Sequence, residues 1–238
     1  PVTVNGGTLS VQNSASLATA SATVITNGGT LDIANNNVSL GVEPITVSGS
    51  GVGGNGAIAN SSGYGGGTVA TSFQNLAMAG DTTIGGPGRI DFADGTLSTG
   101  AAARKLTKVS TSTLRMANLT IDDALGDIEV QGGTLSIQGS TSAVGNPANN
   151  FIVAGSATLQ FNALFADINK GLILQDNGVV NNTGGPNNFN GPVTLQGNGI
   201  FNIVSGMTFT NVIGGTGSLS KVTGNGSMTL TASNTYSG

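Results

Sequence analysis

The stretch that predicts the fold most clearly is residues 212–238, VIGGTGSLSKVTGNGSMTLTASNTYSG. Glycines recur through it at short intervals, and between them lie two segments in which apolar and polar residues alternate, one around Leu219 and the other at Met228–Leu230. Alternation with a period of two is typical of β-strands that bury one face. Because glycine adopts backbone conformations that other residues avoid, the stretch predicts short strands joined by tight corners.

Looser copies of this pattern extend through the chain. Residues 6–11 (GGTLSV) return as residues 28–33 (GGTLDI) and residues 132–137 (GGTLSI), and residues 155–161 form a degenerate copy. A repeat of about 20–25 residues cannot bury its apolar face alone and must stack on its neighbours. We therefore predict an all-β fold, a right-handed parallel β-helix (solenoid) of about ten coils with few or no helices, forming a single segment over residues 1–238.

Asn-Gly pairs mark many of the predicted corners, with asparagine at positions 5, 27, 55, 177, 190, 198 and 225. Both residues tolerate positive φ. Asn-Gly is also the strongest short-range hairpin signal, so an antiparallel sandwich is the alternative fold. The regular return of the repeat favours the solenoid. The glycine-rich residues 48–72 precede further predicted strands at 73–78, 82–84 and 89–92, so we place no domain boundary there. Residues 162–170 are the one candidate for a helical turn.

The composition supports this fold class and excludes several functions. The chain has 40 Gly, only 8% charged residues, and no His, Cys or Trp, whereas about 25% charged residues is usual. Its 37% hydrophobic residues are regularly placed, unlike those of a disordered tract. The net charge of −4 offers no basic surface for nucleic acid. No apolar run reaches the roughly 18 residues of a membrane-spanning helix.

Residues 212–238 resemble the strand repeat of autotransporter passengers and of related giant bacterial surface proteins. The family pattern is Gly-x-Gly-x-Leu-x-Lys-x-Gly-x-Gly-x-Leu-x-Leu followed by Asn-Thr-Tyr-x-Gly, and Leu219, Lys221 and the turn at residues 234–238 carry the resemblance here. The resemblance implies an exported, extracellular segment on the bacterial cell surface. We expect it to be a fragment of a longer repetitive polypeptide whose flanking repeats are its partners.

The resemblance also implies a structural or adhesive function, that of a stalk, fibre or autotransporter-type passenger that holds something away from the cell. The alternative is an adhesin module that binds glycans or other cell surfaces through loops leaving the coil, with residues 54–68 and 143–150 as candidates. Tyr64 is the one speculative ligand contact, because carbohydrate sites often stack sugars on exposed aromatic rings. It lies in residues 61–67, a loop that we expect to be mobile.

A polysaccharide-degrading enzyme is the minor alternative. A serine nucleophile of the usual kind needs a base, and the chain has no histidine, so Ser110 and Lys108 are the formal substitute pair. Glycosidases need two carboxylates roughly 5–10 Å apart. The acidic pairs that could share one face are Asp91 with Asp94 and Asp122 with Asp127. Abundant serines and scattered acidic residues favour chance proximity, so we predict no enzymatic activity and no catalytic residue.

Two glycine-rich phrases are similar to ligand-binding motifs. Residues 85–91 (GGPGRID) resemble the calcium nonapeptide. Their aspartate stands one residue late, and the phrase occurs once, whereas calcium solenoids share ligands between successive copies. Residues 49–54 (GSGVGG) satisfy the dinucleotide fingerprint after a predicted strand, but no helix pattern follows that could bind phosphate. We predict no metal and no cofactor.

Overall fold

A computed structural model describes residues 1–17, 22–26, 28–63, 69–141, 143–164 and 167–238 of the chain. The strands are β1 (Val2–Val4), β2 (Gly7–Val11), β3 (Thr23–Ile25), β4 (Gly29–Ile33), β5 (Pro44–Gly49), β6 (Ile58–Ala59), β7 (Phe73–Gly85), β8 (Ile90–Ser98), β9 (Leu106–Lys108), β10 (Thr113–Ala117), β11 (Thr120–Ile121), β12 (Ile128–Val130), β13 (Thr134–Gln138), β14 (Asn150–Val153), β15 (Thr158–Asn162), β16 (Gly171–Leu174), β17 (Val179–Asn182), β18 (Asn187–Phe189), β19 (Val193–Leu195), β20 (Gly199–Ile203), β21 (Met207–Phe209), β22 (Ile213–Gly215), β23 (Leu219–Thr223) and β24 (Met228–Leu230). A 3₁₀ turn covers Val52–Gly54. No helix within the described ranges is long and apolar enough to cross a membrane.

The strands stack in parallel ladders that define three faces of a coil. Face A is built by β1, β3, β5, the first part of β7, the end of β8 and β11, and farther along by β18, β21 and β24. Face B is built by β2, β4, β6, the end of β7, β9, β12, β14, β16, β19 and β22. Face C is built by the start of β8, β10, β13, β15, β17, β20 and β23. Each circuit of the three faces adds one turn.

Apolar residues at matched positions of successive turns form columns inside the coil. One column on face C contains the almost fully buried residues Leu114, Leu135, Leu159, Val180 and Phe201. Side-chain direction alternates along each strand, so the residues just before and after each of these in its own strand point outward. Burying one such side chain contributes about 1.5–3 kcal/mol. The columns therefore supply the stabilisation that no single turn could provide for itself.

The prediction of an all-β parallel solenoid is confirmed, and the coil has about ten turns. At ~4.8 Å per turn its length is about 50 Å. All pairings between the described strands are parallel, so the antiparallel alternative is wrong. The helical turn considered for residues 162–170 does not form in their described part. There β15 ends at Asn162, and Ile168 makes an isolated parallel bridge to Phe189.

One departure from the regular coil lies on face B. The end of β5 and the start of β6 pair with nearby positions of the same strand, Thr82 and Ile84 of β7. Residues 50–56 therefore leave the face, and we call them the ridge. Ala57 is back on the face, because its N–H donates to the carbonyl oxygen of Thr83 at 2.8 Å. The N–H of Gly56 donates to the carbonyl oxygen of Ser50 at 2.9 Å and closes the base of the ridge.

Candidate functional site

Two grooves lie on face B, one on each side of the ridge. The first, the Asp32 groove, has a volume of about 410 Å³, and its lining includes Thr8, Asp32, Val52, Asn55, Ser61 and Pro87. The second, the Lys105 groove, has a volume of about 430 Å³, and its lining includes Ser50, Asp81, Lys105, Thr107 and Gln131. Both volumes fall in the range of small-ligand sites, about 300–1,000 Å³.

The Asp32 carboxylate is the charged group of the first groove, and it is only 7% exposed. The N–H of Ser61 donates to its Oδ1 at 2.8 Å, and the Ser61 hydroxyl donates to Oδ2 at 2.7 Å. The Ser10 hydroxyl lies farther away, 3.4 Å from Oδ2. No ion pair to Asp32 is formed by the described residues. A buried carboxylate with hydroxyl and amide donors but no counter-charge is thus held at the groove wall.

The ridge is a fixed wall of this groove because Thr30 binds it from the turn below. The Thr30 hydroxyl donates to the carbonyl oxygen of Gly56 at 2.9 Å and accepts the N–H of Val52 at 2.9 Å. Thr30 itself is buried within β4. One side chain therefore binds both ends of the protruding segment, and the shape of the groove is set before any ligand arrives.

The polar groups of the Lys105 groove satisfy one another. Lys105 Nζ donates to Glu129 Oε2 at 3.0 Å, and the Lys105 N–H donates to Asp81 Oδ1 at 2.8 Å. Gln131 Nε2 donates to Glu129 Oε1 at 2.9 Å. The hydrogen bonds from Gln131 and then Lys105 lower the pKa of Glu129, and the Glu129 hydrogen bond raises the pKa of Lys105. This groove therefore presents polar groups that are already bonded to one another.

Lys108 lies inside the coil rather than beside a nucleophile. It occupies the inward column of face B between Ile84 and Val130 and is 1% exposed. Its Nζ donates to the carbonyl oxygens of Val109, Ser110 and Gly132 at 2.6, 2.9 and 3.1 Å. Burial lowers its pKa to about 8, although three carbonyl acceptors favour the ammonium form.

Ser110, the formal partner of Lys108, does not use its hydroxyl to bind the lysine. The Ser110 hydroxyl accepts the N–H of Gly86 at 3.2 Å, and the Lys108 amine contacts the Ser110 carbonyl oxygen instead. Ser110 has a φ of 68°, which places it in a tight corner. A base that activates a serine must reach the hydroxyl, so this arrangement does not supply a nucleophile.

Other corners contain the same kind of buried donor. Lys170, fully buried, donates from Nζ to the carbonyl oxygens of Gly126 at 2.7 Å and Asn146 at 2.9 Å, with a longer contact of 3.3 Å to that of Leu125. Burial lowers the pKa of Lys170 to about 8. In a third corner Asn182 Nδ2 donates to three carbonyl oxygens, those of Gly185, Ser205 and Gly206. Each of these side chains donates to backbone carbonyl oxygens of adjacent turns.

Asp91 is bound by arginine rather than free for catalysis or calcium. It forms a bidentate pair with Arg89, with distances of 2.6 Å from Nε and 2.8 Å from Nη2, and Arg115 Nη1 lies 3.4 Å from Oδ2. Asp94 is an exposed corner residue with a φ of 58°, and its Oδ1 accepts Asn118 Nδ2 at 2.8 Å. Asp91 is therefore held by guanidinium groups and Asp94 by an amide.

Asp122 and Asp127 each cap the backbone of another turn. Asp122 accepts the N–H groups of Ala124, Thr99 and Ala101 at 3.0, 3.0 and 3.2 Å. These hydrogen bonds lower its pKa to about 2, so it stays ionised and cannot act as a general acid near neutral pH. Asp127 accepts the N–H of Asn150 at 2.8 Å.

The predicted binding loops are only partly described. Tyr64, the speculative ligand contact, lies outside the described residues, as does most of the loop at 61–67. Within residues 54–68 the described part includes the end of the ridge and β6. Residues 143–150 follow the coil closely, because Val144 is buried and the N–H of Asn146 donates to Leu125 O at 2.8 Å. That segment is a corner, not a loop that leaves the coil.

The described residues contain no group of three or more Asp, Glu, His or Cys side chains placed to hold a metal ion. In the calcium-like phrase the only aspartate is Asp91, whose oxygens already face two arginines. The dinucleotide-like phrase at residues 49–54 covers the end of β5 and the single 3₁₀ turn Val52–Gly54. Three residues cannot form the helix N-terminus that a phosphate site needs.

The sequence patterns did not point to Asp32, yet they contained a signal for it. In the GGTL repeat the outward position after leucine is Ser10 in the first copy and Ser136 in the third, but Asp32 in the second. The degenerate copy has Gln160 there, so an acidic residue at a position that is uncharged in the other copies marks the copy whose Thr30 binds the ridge. Repeats thus show a site most clearly where one copy departs from the others.

The geometry defines a parallel β-solenoid with two grooves on one face. No protein-family model, no curated protein and no solved structure matches this chain.

Proposed function

We propose that the chain is a rigid structural segment of an exported bacterial surface protein, a stalk, fibre or passenger of the autotransporter type. The observation that carries this proposal is the continuity of the core columns over about ten turns. Polar side chains outside the core also form hydrogen bonds between turns. For example, Asn202 Nδ2 donates to Asn181 Oδ1 at 2.9 Å. A body held by contacts between successive turns resists bending and sets a fixed distance between its ends.

Ionisable groups considered for catalysis form structural contacts instead. Asp91 pairs with arginine, whereas Asp122 and Lys108 bond to backbone groups. The resemblance of residues 212–238 to the autotransporter strand repeat supports the proposed extracellular location. A structural segment works through length and stiffness, so these are the properties to measure.

Spin labels test the stiffness directly, because the chain has no cysteine of its own. Thr3 and Thr229 are exposed on face A near opposite ends of the coil. The double variant Thr3→Cys, Thr229→Cys should give a single narrow distance near ~50 Å in pulsed electron resonance, from about ten turns at ~4.8 Å each. The control, Thr3→Cys with Ser98→Cys, spans four turns and should give ~19 Å. A broad distribution for the long pair alone would contradict a rigid spacer.

The proposed location on the cell surface needs a separate measurement. Antibodies raised against this chain should label intact cells that make the full-length protein, and protease added outside those cells should remove the signal. Labelling that appears only after permeabilisation would contradict the surface location while leaving the rigidity result untouched.

A further inference from the structure

We propose that the Asp32 groove binds a neutral oligosaccharide. This inference goes beyond the spacer function and does not depend on it, since a rigid segment needs no ligand. It rests on the shape of the groove, the chemistry of its lining and the lack of positive charge among the described lining residues.

The ridge is an addition that the core does not require. Gly49 pairs with Thr82 of β7, and the Ala57 N–H donates to the carbonyl oxygen of the next residue, Thr83, so the coil would close without residues 50–56. The ridge nevertheless has a defined structure, because Thr30 binds it at both Val52 and Gly56. A wall that is already ordered costs little further entropy when a ligand binds against it.

Asp32 supplies the polar recognition. Its carboxylate is buried at one side of the groove, and the closest donors to it come from Ser61. A carboxylate offers about four acceptor sites, so sites remain for hydroxyl groups of a ligand. Hydrogen bonds to an ionised acceptor are about twice as strong as neutral ones. Adjacent hydroxyls of a sugar ring are the donors that suit such a group.

The lining also offers apolar surface. Val52 projects from the ridge with 43% of its surface exposed, and Pro87 is a second apolar residue of the lining. A sugar ring has hydroxyls at its edge and C–H groups on its faces, so it can use Asp32 and Val52 at the same time. Among the described residues that line the groove there is no lysine or arginine, which disfavours uronic and other acidic sugars.

The groove is long as well as narrow. Its lining extends from Thr8 on the first turn to Ser110 on the fifth. Four steps of ~4.8 Å span about 19 Å along the axis, and the volume of about 410 Å³ is distributed over that length. A chain of several sugar units matches this shape better than a single sugar does.

The test is a binding screen of the whole chain against neutral cello-, manno- and malto-oligosaccharides and against oligogalacturonate, followed by calorimetry of each neutral sugar that binds. Val52→Asp places charge on the exposed apolar surface, and Asp32→Asn removes the carboxylate charge at nearly constant shape. Each should weaken binding at least about tenfold. Gln131→Ala in the Lys105 groove is the matched control and should leave the affinity unchanged.

Several outcomes would overturn the proposal. These are the absence of binding to any neutral oligosaccharide in the panel, binding of oligogalacturonate alone, and loss of binding in Gln131→Ala but not in Val52→Asp. Unfolding curves of each variant accompany the titrations, so that a weakened Asp32→Asn protein that has also lost its fold is recognised. In that case Val52→Asp, an exposed change, decides the result.

Discussion

At the scale of the residue, the unusual feature is the set of polar donors inside an apolar coil. Tight corners leave backbone carbonyls without strand partners, and a buried unpaired carbonyl is costly. Lys108, Lys170 and Asn182 lie at different corners, and each donates to three such carbonyls. Their role is to complete the hydrogen bonding that the corners interrupt.

Replacing Lys108 should therefore destabilise the coil even though the new side chain is apolar. In Lys108→Met the carbonyls of Val109, Ser110 and Gly132 lose their donor, which should cost at least about 2 kcal/mol. The matched control is Lys221→Met, because Lys221 is exposed and donates only to Gly224 O at 2.7 Å. Urea unfolding measures the stability of both variants. Equal midpoints for the wild type and Lys108→Met would show that the buried amine is not required.

Asp122 should contribute a pH-dependent part of the stability. Its pKa in the folded chain, lowered to about 2 by three backbone N–H groups, lies below its ordinary value of 3.8. The stabilisation is therefore fully present above about pH 3.8 and is lost as the pH falls toward 2. The loss of unfolding free energy over this interval should be smaller in Asp122→Asn than in the wild type. Asp123→Asn, which leaves the three bonds of Asp122 in place, should behave as the wild type does; identical curves for all three would contradict the assignment.

At the scale of the element, strands and corners are less separate than the sequence suggests. The short strands predicted at 73–78 and 82–84 are one element, β7, that passes from face A to face B. The strand predicted at 89–92 is the start of β8, which continues from face C to face A. The chain can keep pairing through these corners only where adjacent turns approach closely, and glycine permits that approach.

Gly95, at the corner within β8, shows this requirement. A Cβ at this position would overlap the carbonyl oxygen of Gln74, the matching residue of the turn below. Gly95→Ala should therefore lower the unfolding free energy by at least about 2 kcal/mol. Gly6→Ala, where nothing lies within 4 Å of the added carbon, should change it by no more than about 0.5 kcal/mol. Denaturant unfolding of the two variants compares them, and similar midpoints would argue against close stacking at Gly95.

At the scale of the whole molecule, the solenoid is a stack whose length follows from the number of turns. In such an architecture each turn contacts mainly its neighbours, so stability is nearly a sum over turns and interfaces. The register shows how one turn can be removed cleanly, because Val179 of β17 pairs with Ile200 of β20. Residues 179–199 are thus one complete circuit.

Deleting residues 179–199 should leave a folded coil that is shorter by ~4.8 Å. Ile200 would take the place of Val179 above Thr158, and the order of the faces would be preserved. Deleting residues 179–189 instead removes part of a circuit, so strands of different faces would be brought together and the coil should lose cooperative unfolding. Electron-resonance distances between labels at Thr3 and Thr229, together with thermal unfolding, distinguish the two. A partial-turn deletion as stable as the full-turn deletion would contradict the register.

Much of the architecture could be predicted from the sequence, because its causes are local. The alternation in the GGTL copies set which residues face inward, and Leu31, Leu135 and Ile137 are indeed buried. The recurrence of a unit too short to bury its own core required stacking. The same local patterns failed at the ridge. Residues 50–56 have the glycine content of a turn, and nothing in that content shows that Thr30 would bind both Val52 and Gly56.

The sequence by itself determined that this protein is a stack of short strands with apolar columns inside, since strand period and corner residues act over a few neighbours. Only the tertiary structure decided which side chains meet. Residues 106–110 (LTKVS) and 219–223 (LSKVT) look alike in sequence, yet Lys108 is buried on face B while Lys221 is exposed on face C. Asp32 likewise meets Ser61 across one turn of the coil. Contacts between turns depend on the exact length of each circuit, and circuit length is the sum of every corner and insertion between two strands.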